Sequence, residues 1–297
     1  MGQTGTVNGS GETEIAETPP EAVSIPKVIA VTSGKGGVGK TNVVANLAVA
    51  LASLGKSVVI LDADLGLGNV DVLFGIIPKY TIEHVLLGEK TLPEVMVEGP
   101  LGIKILPTSS GSEDLTHLSP EQKLVFLSEL DRLEKAVDVF LIDTAAGISS
   151  NVLYFNTVAQ EILVIATADP TSVTDAYAIM KILSKRHGEK RFKLLVNMAR
   201  SLREAKDVYR KLTLVSDQFL DIAIEYCGFI PQDDYLRMAV IEQRSVVDLY
   251  PRAKSSLRFL ELAAEILAWP INTMPKGNVQ FLWKRLLGDP DNMKDAE

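Results

Sequence analysis

Val28-Ile29-Ala30-Val31-Thr32-Ser33-Gly34-Lys35-Gly36-Gly37-Val38-Gly39-Lys40-Thr41 decides the fold. A β-branched apolar run feeds a glycine-rich turn, and the turn opens an amphipathic segment. The turn fits the phosphate-binding pattern G-x-x-x-x-G-K-[ST], with an extra lysine at its second position. Backbone N–H groups in such a turn point at anionic oxygens, and the following helix adds positive potential at its N-terminus. Gly36, Gly37 and Gly39 allow close backbone approach. Lys40 is placed to reach the β- and γ-phosphates, and the Thr41 hydroxyl to bind Mg²⁺.

Outward from this loop, short apolar runs alternate with longer amphipathic segments. Strands are predicted over 28–32, 57–61, 103–106, 139–142, 162–166, 192–196 and 222–229. Helices are predicted over 41–54, 120–135, 151–158, 171–185, 202–220, 236–242 and 255–268. This alternation means βαβ units, hence an α/β fold with a doubly wound, mainly parallel sheet flanked by helices. Ligands on such sheets bind beyond the carboxyl ends of the strands.

Two further stretches place carboxylates there. Leu61-Asp62-Ala63-Asp64-Leu65-Gly66 follows the second strand, and Val139-Phe140-Leu141-Ile142-Asp143-Thr144-Ala145-Ala146-Gly147 reads as an apolar strand ending in Asp143. Carboxylates at strand ends can merely cap turns. In order and spacing with Lys40-Thr41 they instead suit phosphoryl transfer, which needs a placed water and neutralised oxygens.

The loop Gly34 to Thr41, with Lys35, resembles the deviant Walker A loop of the MinD/ParA ATPases, and the later motifs match the same family. The resemblance implies a P-loop NTPase that binds ATP and Mg²⁺. It implies a homodimer in which Lys35 reaches across to the partner's nucleotide. The phosphate cradle would be Gly34, Lys35, Gly36, Gly37, Val38, Gly39, Lys40, Thr41 and Asn42. Asp64 would orient the attacking water, making Lys35, Lys40 and Asp64 the catalytic set. Thr41, Asp62 and Asp143 would serve the metal, Asp143 through a water. Asn197, after the strand at 192–196, would face adenine with Pro231, Gln232 and Asp233; a strand cap and a β-turn are the plainer readings of these four.

Within that family, Asp169-Pro170-Thr171-Ser172-Val173-Thr174-Asp175-Ala176-Tyr177-Ala178 resembles the flagellar-number regulators. The likeness spans roughly 27–268. It implies coupling of ATP-driven dimerisation to flagellar assembly, through a signal-recognition-type GTPase or a flagellar transcription activator. A division-site regulator of the MinD type is the alternative, and a DNA partition ATPase of the ParA type ranks behind it. Many of these regulators begin with an Asp-Gln-Ala…Leu-Arg motif that stimulates the GTPase; residues 1–26 hold neither that motif nor an arginine.

Bulk properties agree. Net charge is −8, but residues 1–24 and 288–297 carry nearly all of it, leaving the body about −1. A near-neutral body without a dense basic stripe argues against DNA as a partner. A single cysteine, Cys227, excludes an intrachain disulfide, argues against a metallocluster carrier and suits a reducing, cytoplasmic setting. No apolar run of 18 residues occurs, and the first residues do not read as a secretory leader.

The expected organisation is a disordered N-terminal tail (1–26), an ATPase domain (27–269), a Pro/Gly linker (270–278), an amphipathic helix (279–288) and an acidic tail (289–297). In that helix Val279, Leu282, Trp283, Leu286 and Leu287 share one face, with Lys284 and Arg285 opposite. The pattern suits reversible attachment to an anionic membrane surface on the inner face of the cell membrane. Docking on the domain itself is the alternative.

Overall fold

The computed structural model describes residues 26–65, 68–108 and 137–270, together with 122, 125, 128 and 129. The predicted tails, linker and C-terminal amphipathic helix lie outside the described residues, and so does most of the helix predicted over 120–135.

The eight strands are β1 (Lys27–Ser33), β2 (Val58–Ala63), β3 (Val97–Glu98), β4 (Lys104–Leu106), β5 (Val139–Ala146), β6 (Glu161–Ala166), β7 (Arg191–Ala199) and β8 (Ala223–Pro231). They form one sheet in the order β3-β4-β2-β5-β1-β6-β7-β8. Every pairing is parallel except that of β3 with β4. The helices are α1 (Lys40–Ser53), α2 (Val70–Leu73), α3 (Ile82–Leu86), α4 (Leu92–Val95), α5 (Ser150–Val158), α6 (Pro170–His187), α7 (Leu202–Phe219), α8 (Asp234–Ile241), α9 (Val246–Leu249) and α10 (Lys254–Ala268).

Central strands covered on both faces need long apolar stretches, which is why β1, β2 and β6 each carry an unbroken run of Val, Ile, Leu or Ala. In β1, Ile29 and Val31 pack with α1 and α10 side chains such as Leu47 and Phe259, while Ala30 faces the other layer, with Phe140 and Phe155. Under α6 and α7 the second layer continues through Ile179, Leu183, Val208 and Leu212. The chain moves from β1 toward β2 on one side and later from β5 through β6 to β8 on the other. The winding reverses at β1, and ligand crevices open at such points.

Three boundaries differ from the sequence reading in ways that matter. Asp143 and Asn197 do not end their strands: β5 continues to Ala146 because it stays paired with β1 as far as Ser33, and β7 continues to Ala199 opposite Pro231. The helix expected from 236 starts at Asp234, because the Asp233 carboxylate caps it through the Tyr235 amide.

Candidate functional site: a phosphate loop facing two buried carboxyls

The loop between β1 and α1 is held open from several sides. Gly39 sits at φ +83 as the N-cap of α1, with no side-chain cap, so the first-turn amides face the loop. A Cβ on Gly39 would lie 2.4 Å from the Asn197 amide nitrogen, and one on Gly34 would lie 2.1 Å from the Asp175 carbonyl oxygen on α6. Neither position tolerates a side chain. Asn197 Nδ2 donates to the Val38 carbonyl at 2.8 Å, tying β7 to the loop. Its Oδ1 is buried without a hydrogen-bond partner, as is Oδ1 of Asn42. Such orphaned acceptors are rare and fit a ligand donor such as the exocyclic amine of adenine. Met198, absent from the sequence reading, follows at φ +56 in a β7 irregularity and sits against Gly39.

Asp62 and Asp143 are direct partners across the β2–β5 pair. Lys40 Nζ donates to Asp143 Oδ1 at 2.7 Å, and both side chains are buried. Asp62 accepts three backbone N–H groups, from Asp64 (3.2 Å), Asn69 (2.8 Å) and Val70 (3.1 Å). Burial first, and then the neighbouring Asp143, push its carboxyl up to about 7 despite those donors. Two adjacent buried carboxyls with one ammonium leave a surplus of negative charge that suits a divalent cation. Thr41 stands one residue beyond Lys40, half-buried, on the first turn of α1. Among the described residues there is no cluster of three or more acidic, His or Cys side chains. That donor set fits Mg²⁺, which keeps several waters and takes one or two carboxylates.

Asp64, half-buried, follows β2, and its carbonyl accepts from the Thr108 hydroxyl at 3.3 Å. Beyond Asp143, the Thr144 hydroxyl donates to the Val31 carbonyl at 3.1 Å and Gly147 N to the Ser33 carbonyl at 3.0 Å. The Gly147 bond pins the loop after β5 to β1, and Asn156 Nδ2, donating to the Thr32 hydroxyl at 3.2 Å, adds a second tie. The Thr144 and Asn156 bonds join positions more than a hundred apart in the chain, so no local pattern announces them.

On the expected adenine side, Gln232 N donates to the Ala199 carbonyl at 3.0 Å, which places the loop beside the end of β7. The Asp233 side chain is already committed. Oδ1 accepts from Tyr235 N, and Oδ2 accepts from both Ser255 N and Ser255 Oγ, all at 3.0 Å. Burial works against its charge, but these donors outweigh it and hold the carboxyl below its usual range. Pro231 and Gln232 thus lie beside the end of β7, while Asp233 joins the starts of α8 and α10.

Lys35 does not point into its own loop. Its ammonium donates to Asp169 Oδ2 at 2.9 Å and to the Thr171 hydroxyl, at the N-terminus of α6.

A family model described as an AAA domain matches residues 26–196. The antiactivator FleN of Pseudomonas aeruginosa is 47% identical over 89% of this chain and 94% of its own length. The flagellum site-determining protein YlxH of Helicobacter pylori is 34% identical over 88% of this chain and 90% of its own. Among solved structures, the cell division ATPase MinD of Pyrococcus furiosus superposes with a TM-score of 0.69 at 26% identity, covering 82% of this chain and 99% of that one. MinD of Pyrococcus horikoshii, complexed with Mg-ADP, superposes with a TM-score of 0.67 at 27% identity, covering 82% and 96%. The phosphate loop, the paired carboxyls and these likenesses together place the chain in the MinD/ParA family of P-loop ATPases, among the relatives of the antiactivator FleN.

Proposed function

We propose that this protein is an ATP-hydrolysing switch, dimeric in its ATP state, that regulates flagellar number or placement from the inner face of the membrane. One observation carries the reading. The loop holds two lysines with different fates: Lys40 is buried against Asp143 within the cradle, while Lys35 is exposed and directed away from it. A lysine that cannot serve its own nucleotide is available to serve another.

In this mechanism the loop amides and Lys40 bind the phosphates, with Lys40 exchanging its bond to Asp143 for phosphate oxygens. Asp64 orients the attacking water. Lys35 of one subunit neutralises charge on the phosphates held by the other, where electrostatic stabilisation matters most. Thr41, Asp62 and Asp143 would hold Mg²⁺, which when bound neutralises phosphate oxygens. The Asn197 side-chain amide oxygen, Oδ1, with Pro231 and Gln232 nearby, receives the adenine. Residues 279–287 supply a membrane contact that two copies strengthen by effective concentration.

The flagellar role is favoured over a division-site role because FleN is 47% identical over 89% of the chain, whereas MinD of Synechocystis is 34% identical over 70%. The partner is then a flagellar transcription activator or a flagellar GTPase, and the name antiactivator favours an activator.

The test is light scattering with ATP, with ADP and without nucleotide. Asp64→Ala should bind ATP, fail to turn it over and accumulate as a dimer, while ADP leaves monomer. Equal mass in all three conditions sinks the dimer, and wild-type turnover by Asp64→Ala sinks the catalytic assignment. A deletion strain that gains or misplaces flagella, with septa unmoved, separates the flagellar role from the division role.

A further inference from the structure

Asp169 divides its two oxygens between separate tasks. Oδ1 accepts from the Thr171 amide and from the Thr171 hydroxyl, both at 2.8 Å, and so caps α6. Oδ2 accepts from Lys35 Nζ at 2.9 Å. The cap needs only the first oxygen. The second contributes nothing to the helix and instead holds the loop lysine against its own chain, 134 residues away in sequence.

Both partners are about half exposed, at 38% and 47% for the side chains. The ammonium, with the Thr171 donors, holds the Asp169 carboxyl down at about 2, so the carboxylate is fully charged throughout the neutral range. Exposed ion pairs are weak and exchange readily. A contact of this kind is suited to release rather than to permanence.

The Lys35 ammonium has three N–H donors, but while it is held against Asp169 and Thr171 on its own chain it cannot extend to a partner's phosphate with its full charge. We propose that Asp169 is a positioning residue which parks Lys35 in the monomer, so that breaking the Lys35–Asp169 pair is a step of ATP-dependent dimer closure and sets its threshold. This rests on the reading of Lys35 given above. The effect is modest by construction: exposed pairs of this kind correspond to about a two- to fivefold change in an equilibrium constant. A change of that size alters a reversible switch without locking it.

Asp169→Asn separates the two tasks. Asparagine keeps an Oδ1 for the cap and is an equally good N-cap residue, but it loses the charge and turns an N–H₂ toward Lys35. In the Asp64→Ala background with ATP, sedimentation equilibrium should show a dimer about two- to fivefold tighter with Asp169→Asn. Asp169→Glu, which restores the charge, should behave like the parent. In the nucleotide-free monomer, Lys35 should acylate faster in Asp169→Asn than in the parent or in Asp169→Glu, read by mass spectrometry. The thermal midpoint of the monomer should fall by no more than about 1–4 °C, because only the exposed pair is lost and the cap is intact.

A dimer that is unchanged or weaker in Asp169→Asn overturns the proposal. So does a tighter dimer with no change in Lys35 reactivity, which would mean that Asp169 repels the partner rather than holding the lysine. Failure of the underlying reading looks different: Lys35→Ala alone would then dimerise with ATP as well as the parent.

Discussion

The two ends of the sheet use buried lysines in opposite ways. At the carboxyl ends of the strands, Lys40 meets one of two adjacent buried carboxyls, and nearby amide oxygens of Asn42 and Asn197 have no partner. At the other end, Lys27 is equally buried, yet it donates to three carbonyls at the end of α10: Ile266 (2.6 Å), Leu267 (3.3 Å) and Trp269 (2.8 Å). Lys193 nearby pairs with Glu225 at 2.6 Å and lies 4.2 Å from the centre of the Trp269 ring. One end is left with unmet needs that a ligand can satisfy. At the other, Lys27 and Lys193 have their partners, and they serve the fold. Buried polar groups rigidify a structure when satisfied and are held in reserve for chemistry when they are not.

Substitutions should separate the two ends. Lys40→Ala should lower ATP turnover by about a hundredfold or more, since it removes a charge from the phosphate cradle. It also leaves Asp143 buried without its cation, so the nucleotide-free protein should be destabilised as well. Lys27→Met should cost about 2–3 kcal/mol of stability by orphaning the helix carbonyls, yet the folded fraction should turn over ATP normally. Urea unfolding and a steady-state phosphate-release assay on both variants check this contrast. A Lys27→Met protein that is stable but inactive would erase the distinction between the ends.

A smaller effect concerns pH. Asp62 has a raised pKa, so between about pH 4 and pH 7 the folded state holds a proton that the unfolded state has released. The nucleotide-free protein should therefore lose stability as pH rises through that window and level off above it. Between pH 5.5 and 7.5 the loss should be about 1–2 kcal/mol, read from urea midpoints. Asp62→Asn should remove this slope whatever it does to the absolute stability. An unchanged slope in that variant would assign the titration elsewhere.

The smallest effect is expected between the two ends, in β8. Cys227 is buried, and burial pushes its thiol up to about 12. It should resist a disulfide reagent at pH 8 until the protein unfolds, and Cys227→Ala should leave turnover unchanged. Rapid labelling of the folded protein would place Cys227 at a mobile edge.

The strands and long helices were legible because their apolar periods extend over enough residues to be unambiguous. The phosphate loop was legible because strand, glycines, lysine and hydroxyl must occur in one fixed order. The short elements were not. α2, α3, α4 and α9 have four or five residues each, too few to show a helical period, and β3 has two. Strand ends were underestimated at Asp143 and Asn197 because polar residues look like terminators, whereas pairing with a long neighbour carries the strand onward. Long-range contacts were invisible. Asn46 on α1 accepts from Ser245 Oγ and Val246 N, both at 2.8 Å, across about 200 residues, and nothing near Asn46 in sequence says so. The Lys35–Asp169 pair was hidden for the same reason, although both partners lay in stretches that drew notice separately.

The Lys27 anchor also has a consequence for how the molecule could be rebuilt. By gripping the last turn of α10 from the first residue of β1, it brings the beginning and the end of the ATPase body within hydrogen-bonding distance. A short linker could therefore join position 26 to position 270, and new ends could be opened at an exposed turn such as Gly188 between α6 and β7. Such a circular permutant would keep every strand neighbour and the phosphate loop in place. It would also show that anything attached before β1 or after α10 leaves from one spot, on the side of the sheet facing away from the nucleotide.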